Sequence, residues 1–559
     1  MMAISLDSPR IGFTTGPRYV EFLREWQRER QPCPPVQVQV ADPLPIAPPA
    51  APPAASATVP TVDATAAFYD VSRGVAATGL SALTLLALLA YGLTLLREPI
   101  TYVEGCSRNC LVNASATGLM WFAIAITGYY LLLFALATRG RTRRSLAATE
   151  HAMAGEPDSD PIVVIVVPAR NEGVVIERTV ERVQALDGAP LLLVMDDGSD
   201  DDTAAVARSV ADPDRTIIVT RDAEVAGRGK GDVLNAAVEI ITGLVNAEDP
   251  RLRGRLAADV VVCILDADGW LDHDAISQVV PMFREPRVGG VQLSVRMWNA
   301  RAGFLARMQD IEFVAYGHVF QSARDEIGSV LMGGNGQFMR LSALNELGRE
   351  PWTACLTEDL EIGLRLAQRG WRLRACPTAC VSQQALVSPR RFVRQRTRWV
   401  QGHLSCWSHV PQLWRRRAEL APWARADLSL HLLLGSYGVL AALQAMVTLA
   451  LLVGVASWHG ATFGQSPAVA AAGFGLLMLV PVAIVGHAYQ RYAEARLPLR
   501  ALVGVMTVYT AYHYLWSVPA TASALTRIAL RRHGWAKTSR STISPYDLAA
   551  SMLETRGTR

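Results

Sequence analysis

Between residues 160 and 265, four short runs of β-branched and aliphatic residues each break off at a polar turn: PIVVIVVPARNE, PLLLVMDDGSDD, RTIIVTRD and DVVVCILDADG. Such runs are too short for a buried helix and lack the in–out alternation of a strand with one wet face. They read as strands covered on both faces. Stretches of helical periodicity, 173–186 and 202–210 among them, separate the runs. Apolar strand, polar turn and helix, repeated in that order, predict an α/β domain over 155–410. Its sheet should be parallel, with the ligand site at the carboxyl ends of the strands.

Apolar residues make up 50% of the 559 and charged residues 19%, and the apolar surplus lies outside this domain. Runs at 74–96 and 118–138 hold about 20 uncharged residues each, enough to span a bilayer. Arg139, Arg141, Arg143 and Arg144 follow the second run, and the positive-inside rule sets them in the cytoplasm. The expected plan therefore has six parts. A cytoplasmic tail (1–73) carries a short basic amphipathic stretch, a Pro/Ala-rich disordered tether over 32–60 and no signal peptide. Two transmembrane helices follow (74–138), then the α/β domain, and then an interfacial basic segment (411–427). A C-terminal membrane region (428–526) with runs at 428–457, 467–488 and 501–526 leads to a tail (527–559). Three full spans would carry Arg531, Arg532, Lys537 and Arg540 outward, so the last run, with Pro519 and its tyrosines, is the weakest span. The loop 97–117 faces outward, where Cys106 and Cys110 have the option of a disulfide. Cys376 and Cys380 read as packing residues. A net charge of +4 gives no footing for nucleic acid, whereas arginine clusters beside apolar runs suit membrane lipids.

The turns carry the chemistry. In ILDADG, Asp266 and Asp268 flank Ala267, so strand alternation sets both carboxylates on one side, suited to a hard cation bridging a diphosphate. The alternative is an acidic turn in water. Asp197 ends a neighbouring strand, with Gly198 for the turn and Ser199 to Asp202 available as helix caps. Arg170, Asn171 and Glu172 close the first strand and can frame a base and ribose. In GRGKGD, Lys230, with Arg228 nearby, is set to approach a phosphate. Thr357-Glu358-Asp359 opens a helix, either as a cap with favourable acidic charge or as the source of a general base. In QRTRW, Gln395, Arg398 and Trp399 share a helix face, where arginine can meet a diphosphate and indole a sugar ring. A basic helix on a membrane surface is the competing account.

In order, these motifs resemble the D,D,D,QxxRW pattern of family-2 glycosyltransferases, which includes cellulose, hyaluronan, chitin and poly-N-acetylglucosamine synthases. The resemblance implies a GT-A-like (Rossmann-like) cytoplasmic domain inserted between N- and C-terminal transmembrane helices. By it, Asp197 contacts the nucleotide, with Arg170, Glu172 and Lys230 around it. Asp268, with Asp266 beside it, holds Mg²⁺ or Mn²⁺, and Asp359, next to Glu358, is the catalytic base. Gln395, Arg398 and Trp399 hold the acceptor end and pyrophosphate. LMGGNGQFMR resembles the acceptor-side glycine-rich loop, which puts Gly334 and Asn335 in that subsite, and GWAKTSR resembles a cytoplasmic motif of hyaluronan-synthase-like enzymes. No gating-loop motif and no DxSxxG motif for cyclic-di-GMP is present.

The implied function is an inverting hexosyltransferase moving sugar from a nucleotide-sugar, UDP-linked by expectation, to a growing β-linked glycan. The alternatives are single-sugar transfer to diacylglycerol or polyprenyl phosphate and, more distantly, a transporter or scaffold with a nucleotide-binding domain. The expected location is the cell membrane, the inner one in a bacterium, with an accessory subunit as a further partner.

Overall fold

The computed structural model describes residues 124–140 (126 aside), 160–415, 420–434, 467–494 and 496–530. The expectations for the N-terminal tail and tether, the run at 74–96, the loop with Cys106 and Cys110, most of the run at 428–457 and the GWAKTSR tail lie outside the described residues.

The four runs form β1 (Ile162–Ala169), β2 (Leu191–Asp196), β3 (Thr216–Thr220) and β4 (Val260–Ile264). Pairings β1 with β2, β1 with β4 and β2 with β3 are all parallel. Alternation decides which residue meets which helix layer. Ile165 and Val167 of β1, with Leu192, Val194 and Cys263, pack on Ile176, Val180 and Val183 of α1 (Gly173–Gln184). Val164 and Val166, with Leu193 and Val262, pack on Val233, Leu234, Ala237 and Ile241 of α3 (Lys230–Asn246). All these strand residues are fully buried or nearly so, each contributing roughly 1.5–3 kcal/mol for a side chain of this size. The second helix, α2 (Thr203–Val210), joins the α1 layer.

Beyond β4 the sheet departs from the parallel expectation. The strand order is β3-β2-β1-β4-β7-β6-β8-β5, with β5 (Trp270–Leu271), β6 (Val288–Met297), β7 (Gln337–Arg340) and β8 (Arg372–Gln383). β7 runs antiparallel to both β4 and β6, and β5 antiparallel to β8, so the sheet is mixed. The chain builds β1, β2 and β3 outward on one side, then crosses back through α3 to lay β4 on the other. That reversal opens a crevice at the carboxyl ends of β1 and β4.

A second layer closes over this crevice. It comprises α4 (Phe304–Ala315), α5 (Glu358–Gln368), α6 (Pro389–Ser405) and α7 (Pro422–Leu434). Two long helices, α8 (Pro467–Tyr492) and α9 (Leu499–Ala529), form where the last two apolar runs stand. Their buried faces, including Val485, Tyr489, Met506, Tyr512 and Trp516, pack against Met308 and Ile311 of α4 and Phe392 of α6. Among the described residues, no helix is long and apolar enough to cross a membrane.

Candidate active site

The carboxyl ends of β1 and β4 deliver Arg170, Glu172 and Asp266 into a cleft of about 400 Å³. Asp197, Lys230, Gly334, Asn335, Glu358, Asp359, Gln395, Arg398 and Trp399 line the same cleft. Asp268 stands apart from its lining, two residues beyond Asp266, with both carboxylate oxygens shielded from solvent.

At the end of β2 the two aspartates part company. Asp196 folds back, accepting from the Ser199 N–H (3.1 Å) and hydroxyl (2.5 Å), and so closes the turn at Gly198, whose φ is +66°. Asp197 faces the cleft, where it accepts from Arg221 Nη1 (2.6 Å) and the Gly227 N–H (3.1 Å), with Arg170 Nη1 at 3.9 Å. Burial pushes its pKa up against the pull of those donors. Gly227 sits at φ +78°, a conformation that favours glycine, and a Cβ there would push aside the end of the Arg170 side chain. Helix capping here falls to Asp201, which accepts from the Gly173 N–H (3.1 Å) and Thr203 N–H (3.0 Å). Asp202, at the N-cap position itself, makes no side-chain capping bond.

Lys230 is the first residue of α3, reached through Gly229 at φ +123°. Its Nζ donates to Asp266 Oδ1 (2.6 Å) and to the Gly334 carbonyl (3.0 Å), tying β4 to the glycine-rich loop. Burial opposes the ammonium charge, but Asp266, Glu358 and Asp359 together outweigh it and raise the pKa. Arg228 stays on the surface, donating to the Glu224 carbonyl (3.1 Å). Asn335 Oδ1 accepts the Asp266 N–H (3.1 Å), and the buried Gln292 of β6 clamps the loop through the Asn335 carbonyl (2.9 Å) and the Gly333 N–H (2.7 Å). Gly334 lies so close to the helix opening that a Cβ there would stand 3.1 Å from Asp359 Oδ2.

Thr357 occupies the N-cap of α5 without a side-chain capping bond, so capping does not explain the Thr-Glu-Asp turn. The turn is instead pressed against α6, where a Cβ on Gly402 would fall 2.6 Å from Thr357 Oγ1 and 2.7 Å from its backbone nitrogen. Glu358 has its pKa pushed up to about 7 by burial and then by the Asp359 charge, while Lys230 and Arg398 pull it back in part.

Helix α6 starts with Pro389 in its first turn, where the missing N–H costs nothing. Gln395, Arg398 and Trp399 share the cleft face, as the helical spacing requires. Arg398 Nε is shielded from solvent with no hydrogen-bond partner among the described residues. Arg396 lies deeper in the same cleft wall. It is 2% exposed and pairs with Glu312 through two bonds (2.5 and 2.9 Å), and Glu312 also accepts from the Tyr512 hydroxyl (2.8 Å). The guanidinium lies 4.5 Å from the Trp399 ring centre and 4.7 Å from that of Trp516. One turn beyond Trp399, His403 lines the cleft with His431 of α7, their rings edge to face at 5.8 Å. Sequence reasoning missed Arg221, Gln292, Glu312, Gly402 and both histidines. Of these, only Arg221 at a strand end and His403 at i+4 from Trp399 carried a local signal.

Residues 160–402 match the model of the family described as glycosyltransferase like family 2. The β-monoglucosyldiacylglycerol synthase of Trichormus variabilis is 28% identical over 248 residues, 43% of this chain and 49% of that one. The poly-β-1,6-N-acetyl-D-glucosamine synthase of Staphylococcus aureus is 26% identical over 244 residues, 43% of this chain and 54% of that one. The chain thus spans about half the length of the curated relatives it matches. Among solved structures, a mannosyltransferase from Pyrobaculum calidifontis in complex with GDP-Man and Mn²⁺ is similar at 21% identity and a TM-score of 0.44, covering 72% of this chain and 99% of that one. The expected α/β domain is present, with a mixed sheet.

Proposed function

We propose that the family-2 glycosyltransferase domain of residues 160–402 moves the sugar of a nucleotide-sugar, a UDP-sugar by preference, to a hydroxyl acceptor with inversion. The observation that carries this reading is the convergence of Asp197, Lys230, Asp266, the Glu358–Asp359 pair and the Gln395–Trp399 face on one cleft. Asp197, with Arg170 and Glu172, receives the nucleoside. Lys230 and Arg398 offer cations to the diphosphate as it departs, and the solvent-shielded Arg398 Nε suits that task. Asp359 takes the acceptor proton as the acceptor oxygen bonds to the anomeric carbon and the bond from that carbon to the diphosphate oxygen breaks. Trp399 stacks on the acceptor sugar, its ring held by the Arg396 guanidinium behind it.

The donor set also fits a hard divalent cation. Among the described residues no three His, Cys, Asp or Glu groups gather as a closed metal site. A cation shared with a diphosphate needs only one or two carboxylates; Asp266 at the cleft, with Asp268 shielded just behind it, would supply oxygen donors without thiolate. Mg²⁺ or Mn²⁺ held there would neutralise charge on the leaving diphosphate.

The acceptor is a growing β-linked glycan or a lipid such as diacylglycerol, since the relatives carry names of both kinds. The arginine cluster at 139–144 favours the cytoplasmic side for the domain, and a membrane setting is supported by α9. Leu499, Val503, Leu515, Val518 and Leu525 are exposed on it while the opposite stripe is buried against the domain. Incubating membranes that contain the full-length protein with labelled UDP-sugars tests the reading. UDP release with a long product supports a polymerase, and release with a single-sugar lipid supports the lipid transferase. No UDP release with any nucleotide-sugar refutes both.

A further inference from the structure

His403 and His431 face the same cleft from different helices, and their partners fix opposite tautomers. The Nδ1 of His403 lies 2.9 Å from the Trp399 carbonyl, which can only accept, so Nδ1 carries the proton and Nε2 presents a lone pair. The Nδ1 of His431 lies 3.2 Å from Arg324 Nη2, which can only donate, so Nδ1 is the acceptor and Nε2 carries the proton. Arg324 is itself locked, donating to Asp427 at 3.0 Å, and both members of that pair are buried. No described residue bonds Nε2 of either ring.

We infer that His403 and His431 form an acceptor subsite that reads an uncharged hydroxyl group, one ring accepting from it and the other donating to it. This deepens the glycosyltransferase reading and rests on it. A hydroxyl both donates and accepts, so one alcohol, or two neighbouring ones on a sugar or glycerol, satisfies both rings. An ionised phosphate only accepts, and its oxygens would meet the lone pair of His403. Burial also disfavours the charged form of both rings. It lowers the pKa of His403 against the Trp399 carbonyl and Asp359, and it lowers that of His431 together with Arg324 and His403. A neutral pair offers no counter-charge to a polyprenyl phosphate. The subsite therefore selects a glycan or diacylglycerol hydroxyl, and the two sources are told apart by the acceptor supplied.

The test uses the full-length protein with the UDP-sugar that supports UDP release. Dioleoylglycerol, a β-linked glucotetraose and undecaprenyl phosphate serve as acceptor probes. The expected result is turnover with one of the two hydroxyl probes. His403→Leu and His431→Leu should each raise the KM for that probe about three- to tenfold, the loss of one neutral hydrogen bond, with the nucleotide-sugar KM unchanged. His403→Gln, whose amide reaches the Nε2 position, should restore most of the loss. If a leucine variant loses UDP binding through misfolding, His403→Asn decides, because its amide still reaches the Trp399 carbonyl but falls short of Nε2. Its acceptor KM should rise to the same extent. An unchanged acceptor KM in these variants, or turnover with undecaprenyl phosphate alone, overturns the subsite and leaves the glycosyltransferase reading standing. A wild type that releases no UDP with any probe overturns that reading, and the subsite with it.

Discussion

Replacing Glu358 with glutamine should make the protein more stable in mild alkali and at the same time a poorer enzyme. In the fold, burial and then the neighbouring Asp359 carboxylate hold the Glu358 pKa at about 7, from an ordinary value of 4.5. The folded state therefore keeps a proton that the unfolded chain has already lost. That stabilisation is fully present below pH 4.5 and is lost as pH rises through about 7. Ionising the buried acid in the fold costs about 3 kcal/mol, at 1.36 kcal/mol for each pKa unit. Glutamine resembles the neutral acid and carries no such cost. At roughly 2–4 °C per kcal/mol for a domain of 150–250 residues, the variant should melt about 6–12 °C above wild type near pH 8. Near pH 5, by the same linkage, the gap should shrink to about 2–3 °C, and it should close below about pH 4. Melting of wild type and Glu358→Gln across this range, followed by tryptophan fluorescence, measures the difference. A variant that melts at or below wild type near pH 8, or a gap that does not widen with pH, refutes the account of a strained carboxylate pair beside Lys230.

Asp359→Asn should lower sugar transfer by about 10²–10⁴-fold, the usual contribution of a general base, with UDP binding retained in a direct titration. Trp399→Ala should leave UDP binding intact and shorten or abolish product, with a loss of about 1–3 kcal/mol if stacking here resembles aromatic platforms elsewhere. Activity should vanish in EDTA and return with Mn²⁺ or Mg²⁺, and Asp268→Asn should blunt that rescue; full activity in EDTA would remove the metal from the reaction. Arg396→Leu, which strands the buried Glu312, should cost about 3–5 kcal/mol in a denaturant titration, whereas the paired change Arg396→Leu with Glu312→Leu should recover much of it.

What the sequence made legible was local. The runs that became β1, β2, β3 and β4 announce themselves, since strands buried on both faces leave no choice but continuous apolar residues. Helix α5 and the shared face of Gln395, Arg398 and Trp399 follow from a period of 3.6, whereas their place in the cleft was expected only from the family resemblance. The antiparallel half of the sheet was not legible, because β5 to β8 pair across long separations and their register depends on packing that no local window contains. The same reason hid Gln292 behind the glycine-rich loop and Glu312 behind Arg396, partners 84 residues apart. Thr357 misled in the opposite sense. It has the composition of a cap, yet its hydroxyl lies against the sulfurs of Cys355 (3.7 Å) and Cys406 (3.9 Å), and Cys406 arrives only with the end of α6.

The pairing of Glu312 with both Arg396 and Tyr512 also sets a timetable for biosynthesis. Tyr512 lies 200 residues after Glu312, so at about 5–20 residues per second the ribosome delivers it some 10–40 s later. Through that interval β1 to β4 and the helices between them are already made. The wall that carries Trp399 still lacks Trp516 on its far side and the hydroxyl that shares the Glu312 carboxylate. On the proposed reading, the donor side of the cleft is therefore made before its acceptor side is closed. A chain cut after α6 would keep Glu312 and Arg396 but lack Tyr512 and Trp516, with the back of the Trp399 wall open to water.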